Sequence, residues 1–169
     1  EKNLTEDDVY WGTKLACLEM IKTGTTSIID MYHFFGGTAR AVDEMGLRGM
    51  LTYVGFDFEL HERASVYKKE VQEYHKSLIN YSSRIGFAMA PHAIYSVSKS
   101  LLKWIRDYAT DNGLRIHTHI SETIGEVNDS IKKYGLRPVQ YLQSIGFLGP
   151  DVSFAHGLYL DRDEIKILA

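Results

Sequence analysis

The feature that most limits the folds open to this chain is its rhythm. Short β-branched, apolar runs alternate with longer helical patterns and recur at intervals of roughly 25 to 35 residues, the spacing of βαβ units that feed a parallel sheet. Thr5 reads as the N-cap of a first helix, with Glu6, Asp7 and Asp8 in its opening turn, apolar positions at Val9, Leu15, Leu18, Met20 and Ile21, and a stop at Gly24. The run TTSIIDMY follows as a strand, then a helix around TARAVDEMG that ends at Gly46, then a strand in RGMLTYVGF. A polar helix is expected from Ala64 to Asn80, a strand in RIGFAMAPH, and a helix capped by Ser98 and closed by Gly113. LRIHTHI alternates and is β-branched, so it reads as a strand, with Ser121 placed to cap the helix IGEVNDSIKKYG. A short helix begins near Pro138, DVSFAH is a strand, and a last helix begins at DRDEIKILA.

Five such units fit either an open doubly wound sheet or most of a (β/α)8 barrel, which normally takes about 250 residues. At 169 residues the chain is too short to close that barrel. It opens on a helix with no strand before it and stops inside a helix, which favours a truncated barrel. A doubly wound nucleotide binder usually carries GxGxxG after a strand, whereas FFGGTAR offers only the adjacent pair Gly36 and Gly37, read here as a flexible turn. The expected fold is therefore an α/β, parallel, TIM-type (β/α)8 barrel. Residues 1–169 form its central part, an incomplete segment of about five strand-helix units, as one domain or part of one.

Composition narrows the partners. A hydrophobic fraction of 44% can bury a substantial core, and the net charge of −3 with dispersed Lys and Arg offers no basic face for nucleic acid. No apolar run approaches the roughly 18 residues of a membrane span, and the polar start EKNLTEDD lacks the plan of a signal peptide. The lone Cys17 has no internal disulfide partner and reads as a small buried hydrophobe, in keeping with a reducing, cytoplasmic setting.

In parallel α/β folds the chemistry gathers at the carboxyl ends of the strands. The polar residues found there are Asp30, Tyr32 and His33, then Tyr53 and Asp57, then His92, then His119 and Glu122, and last His156. Three successive strands thus deliver a histidine to one rim, while His61 and His75 lie in polar helical text and are set aside as surface residues. His117 and His119 are two apart, so they share a strand face. His119 is nearer the rim and is the better ligand; His117, one layer deeper, suits a neutral hydrogen-bonded core role. Glu122 leaves the strand at the rim, where a carboxylate can take a proton from water held by Zn²⁺ or Fe²⁺. The plainer alternatives are a turn residue after Pro91 for His92 and a strand-end residue before Gly157 for His156.

The phrases LTEDDVYWGTKLACLEMIKTGTTSIIDMY, APHAIYSVS, HTHISETIGEV and GLRPVQYLQSIGFLGPDVSFAHGLYLDRDEI cover nearly the whole chain. Together they resemble the amidohydrolase superfamily, in its cytosine-deaminase-like branch with the chlorohydrolases and the methylthioadenosine/S-adenosylhomocysteine deaminases. The resemblance implies one divalent metal, zinc or iron, with His119 matching the fifth-strand ligand and His156 the sixth-strand histidine that holds metal or orients water. Glu122 resembles the acid/base that shuttles protons, and His92, Glu1 and Arg63 resemble substrate-binding residues. It implies hydrolytic removal of an amino group from an adenine nucleoside or related N-heterocycle by metal-bound hydroxide. Hydrolysis of s-triazines or other heterocycles is the alternative within the branch. The family's first-strand HxH and eighth-strand aspartate have no match here, and Tyr53 stands where the nucleoside deaminases commonly carry arginine. The isolated segment is accordingly expected to lack full activity. A non-catalytic structural remnant or interaction module, whose unpaired strand edges invite association with another chain, is the reading from a different class, and a homo-oligomer is among the expected assemblies.

Overall fold

The computed structural model of the chain describes residues 3–169. The chain divides into two compact units, residues 1–54 with 68–88 and residues 55–67 with 89–169.

The first unit contains α1 (Glu6–Thr23), β1 (Ser27–Tyr32), α2 (Phe35–Glu44), most of β2 (Arg48–Gly55), the greater part of α3 (His61–Ser77) and the first half of β3 (Ile85–Pro91). Thr5 caps α1 as expected: its hydroxyl accepts from the Asp8 N–H at 3.2 Å, and the Asp8 carboxylate accepts from the Thr5 N–H at 2.9 Å. Gly24 ends the helix with a left-handed φ of 89°. The face is not the one the apolar positions suggest. Val9, Tyr10 and Cys17 are buried, while Leu15, Leu18 and Ile21 are exposed. The reason lies in α2, which meets the first turns of α1. A Cβ on Gly37 would stand 2.6 Å from the Glu6 carbonyl oxygen and 3.3 Å from the Tyr10 nitrogen. Gly36 and Gly37 are thus not a flexible turn but part of α2, with Gly37 left bare so that the two helices can touch. β1 and β2 run parallel, in a register that pairs Ile29 with Met50 and Tyr32 with Tyr53. β3 follows β2, and the Gly49 N–H donates to the Arg84 carbonyl at 3.0 Å. Phe35 is buried, with its ring centroid 5.3 Å from Tyr74 and 5.4 Å from Phe87. His75, expected at the surface, is half-buried and stacks on Phe87 at 5.7 Å, which lowers its pKa by desolvation.

Asp43, near the end of α2, closes this unit. Its carboxylate accepts from the Ser82 N–H at 3.1 Å, from the Ser82 hydroxyl, and from Arg84 Nη2 at 2.9 Å. The Ser82 hydroxyl foremost, with its N–H and Arg84, holds the carboxyl below its ordinary pKa. A depressed folded value contributes stability that is present above the unfolded value of about 3.9 and is lost as pH falls through the folded value. Asp43→Asn should therefore destabilise at neutral pH, by an amount that shrinks below about pH 4. Urea unfolding of both proteins at pH 7 and pH 3 checks this, and an undiminished gap at the lower pH would discount the charge.

The second unit holds the end of β3, α4 (Lys99–Asn112), β4 (Arg115–Ile120), α5 (Ile124–Tyr134), α6 (Pro138–Ser144), β5 (Val152–His156) and α7 (Arg162–Leu168). Ser98 caps α4 by accepting from the Leu101 N–H at 3.2 Å, and Gly113 closes it at φ 63°. Asp57 is buried and accepts from the Ser98 N–H at 2.8 Å and from its hydroxyl at 2.6 Å, so this strand-end carboxylate is a strut. β4 lies between β3 and β5 and pairs parallel with β5, His119 opposite Ala155 and Ile120 opposite His156. The cap of α5 is Thr123, not Ser121. Ser121 adopts a left-handed φ of 48°, outside the extended backbone a cap requires, while the Thr123 hydroxyl accepts from the Glu126 N–H at 3.1 Å. Pro138 starts α6, where its missing N–H costs nothing. Among the described residues no helix is long and apolar enough to cross a membrane.

Candidate active site

Within the second unit, the carboxyl ends of β3, β4 and β5 bring together His92, His119, Glu122 and His156, four of the six residues to which the family resemblance gives a site role. His92 directly follows β3, and its backbone fixes its neighbour. The His92 carbonyl accepts from the His119 N–H at 3.0 Å and from His119 Nδ1 at 2.9 Å. A carbonyl oxygen only accepts, so Nδ1 carries a proton and Nε2 is the ring nitrogen left to face a ligand. This is how metal-binding histidines are commonly oriented, with the second ring nitrogen tied to a carbonyl. His92 Nδ1 lies 2.8 Å from the Ser96 hydroxyl. Its ring is 5.0 Å from that of His119, which is 5.2 Å from that of His156 at an interplanar angle of 32°. His156 Nε2 is 3.7 Å from Glu122 Oε2, and both side chains are partly exposed. His156 has a left-handed φ of 71°, uncommon for a residue with a Cβ and sustained only where the surroundings dictate it. Burial first, and then the neighbouring His119, lowers the pKa of His92, against an opposing pull from Glu122.

His117 takes the deeper place its spacing implies. It is half-buried, 2.9 Å from the Ser153 hydroxyl, with its pKa lowered by burial and by His119. Arg63 stands exposed on the first turn of α3, its guanidinium 5.7 Å from the Phe58 ring centre. Glu1 lies outside the described residues.

The donor set suits part of a metal site. Two imidazoles and a carboxylate are ligands zinc accepts, although zinc usually takes four. Among the described residues no group of three or more His, Cys, Asp or Glu is arranged to hold a metal ion.

One residue of this region was not singled out in the sequence. The Glu126 carboxylate, 6% exposed, accepts from the Ser121 N–H at 3.0 Å and from the Glu122 N–H at 2.9 Å. The signal for it was the T-x-x-E spacing of Thr123 and Glu126, a capping pattern that starts two residues beyond the cap read at Ser121.

Parallel strands followed by helices, with polar residues collected at the carboxyl ends, are the architecture of the (β/α)8 barrels, and the chain is an α/β segment of that fold. It belongs to the amidohydrolase family, which it matches over residues 2–169. It is 45% identical to a 5′-deoxyadenosine deaminase of Methanoregula boonei, over 99% of this chain and 38% of that protein. It is 44% identical to a 5-methylthioadenosine/S-adenosylhomocysteine deaminase of Thermococcus sibiricus, over 100% of this chain and 40% of that protein. The chain thus spans about two fifths of the length of these curated relatives. Among solved structures it is similar to an adenosine deaminase from Xanthomonas campestris with bound zinc, at a TM-score of 0.88 and 29% identity, covering 97% of this chain and 38% of that one.

Proposed function

We propose that the protein carrying this chain is a metal-dependent hydrolase that deaminates an adenine nucleoside. The observation that carries this reading is the seating of Glu122 beside His156, next to a His119 whose Nδ1–H is tied to the His92 carbonyl. The deaminase relatives supply the substrate class, and zinc is the metal named with the similar solved structure. His119 and His156 would hold the cation through ring nitrogens, and when bound it would polarise the attacking water. Glu122 takes a proton from that water as its oxygen attacks the ring carbon bearing the amino group and passes it to the adjacent ring nitrogen; it then takes the second proton from the newly bound hydroxyl and gives it to the amino group, so that the C–N bond breaks, ammonia leaves and a ring carbonyl forms. His156, beside Glu122, also orients the attacking oxygen. His92 contacts the heterocycle, while Glu1 and Arg63 bind the remainder of the nucleoside. A nucleoside substrate, together with the buried lone Cys17, suits a cytoplasmic setting.

The direct test is ammonia release by the natural full-length protein from adenosine, 5′-deoxyadenosine and methylthioadenosine, before and after chelation and with zinc restored. Turnover on at least one of them, lost on chelation and regained with zinc, is expected. Inertness on all three, with hydrolysis of an s-triazine instead, would move the protein to the other arm of its branch.

A further inference from the structure

We propose that Glu126 is a positioning residue that sets Glu122 over His156, a role that rests on the deaminase reading above. The turn between β4 and α5 is an awkward piece of backbone. Ser121 is fully buried in a left-handed conformation, at φ 48°, and its buried hydroxyl has no hydrogen-bond partner among the described residues. Such a turn persists only if its surroundings impose it. They impose it from two sides. On the carbonyl side, the Gly157 N–H donates to the Ile120 oxygen at 2.9 Å and the Tyr159 N–H to the Ser121 oxygen at 3.1 Å, which ties this turn to the one that follows β5 and carries His156. On the amide side, both consecutive N–H groups, of Ser121 and Glu122, are taken by the two oxygens of Glu126. The Glu126 N–H is itself fixed on the Thr123 hydroxyl at 3.1 Å, so the carboxylate is held at its own backbone end.

A capping box would send this glutamate back to the N–H of the cap, Thr123. Here it reaches one and two residues further, to the residue singled out as the proton carrier and the strained residue before it. A charged acceptor on two adjacent amides makes the stronger kind of hydrogen bond, and it defines the direction in which the Glu122 side chain leaves the turn. Glu126 itself touches neither His119 nor His156 in any hydrogen bond or ion pair described among these residues. Its influence on the reaction runs through the place of Glu122, where a shift of about 1 Å can cost on the order of 100-fold in rate.

The experiment compares Glu126→Gln and Glu126→Asp with the unmodified natural full-length protein loaded with zinc. It measures kcat, KM, zinc content and amide hydrogen exchange across residues 119–127. Glutamine keeps the shape but sets an NH2 group against one of the two N–H donors; aspartate keeps both acceptors on a shorter arm. In both, kcat should fall about 10- to 100-fold with KM and zinc content within about 2-fold, and exchange at Ser121 and Glu122 should accelerate. A purely structural residue would lower the folded fraction and leave kcat per zinc-loaded site unchanged, and that result in either variant overturns the positioning role while the deaminase reading stands. If the unmodified protein releases ammonia from no adenine nucleoside, the deaminase reading falls and the role assigned to Glu126 in that reaction falls with it, whatever the exchange pattern shows.

Discussion

Glu122→Gln is expected, on the deaminase reading proposed above, to reduce turnover of an adenine nucleoside by 100-fold to 10,000-fold while metal content is retained, because general acid–base groups contribute about that factor and the substitution removes only the titrating oxygen. The carboxylate stands 3.7 Å from His156 Nε2 and is open enough to meet a substrate. Glutamine matches glutamate in shape, so the turn anchored on the Glu122 N–H should survive, as should the His119 contact with the His92 carbonyl. Metal content measured alongside kcat separates two ways of losing activity. A variant that loses turnover and zinc together would make Glu122 a ligand, not a proton carrier. A variant with near-normal turnover would end its role in catalysis altogether.

His119 and Glu122 were legible because alternation along a strand and a short step past its end are properties of the backbone alone. The same holds for the caps at Thr5, Ser98 and Gly113, where each residue type satisfies the orphan groups of its own helix end. What escaped depends on partners distant in sequence. Leu15 and Leu18 look like the buried face of α1, but α2 sits against the turn of Glu6 and Tyr10 instead, and Gly37 permits that contact. His75 sits in polar text, yet Phe87 from another element stacks on it. Ser121 is a good cap by type, and nothing in its neighbours announces a left-handed backbone. Glu126 reads as an ordinary first-turn acid until the turn before it folds back over its carboxylate. Local chemistry therefore located the candidate side chains, while the groups that hold them in place emerged only from the fold.

The largest expected loss of stability lies at the pair beneath the loop that follows His156. The Glu164 carboxylate is 0% exposed and accepts from three donors: Arg137 Nε at 2.8 Å, the Val139 N–H at 3.1 Å and the Asp161 N–H at 3.1 Å. Arg137 also donates to the Tyr159 carbonyl at 2.5 Å and lies 2.9 Å from Asp161, a partner 42% exposed. The exposed contact contributes little, because water screens it. The buried one is different, since removing one partner leaves an ion in a place where water cannot solvate it. Arg137→Met, which keeps much of the stem's packing, should therefore cost about 3–5 kcal/mol, read from urea midpoints at constant slope. Lys166→Met breaks a pair exposed at both ends, 76% and 74%, and should change stability by less than about 1 kcal/mol. Adding Glu164→Gln to Arg137→Met removes the stranded charge and should recover much of the loss, whereas an independent contribution from each residue would make the double variant worse. A loss below about 1 kcal/mol in Arg137→Met alone would mean that the two backbone N–H donors suffice for Glu164, and that the guanidinium holds the Tyr159 carbonyl without anchoring a buried charge.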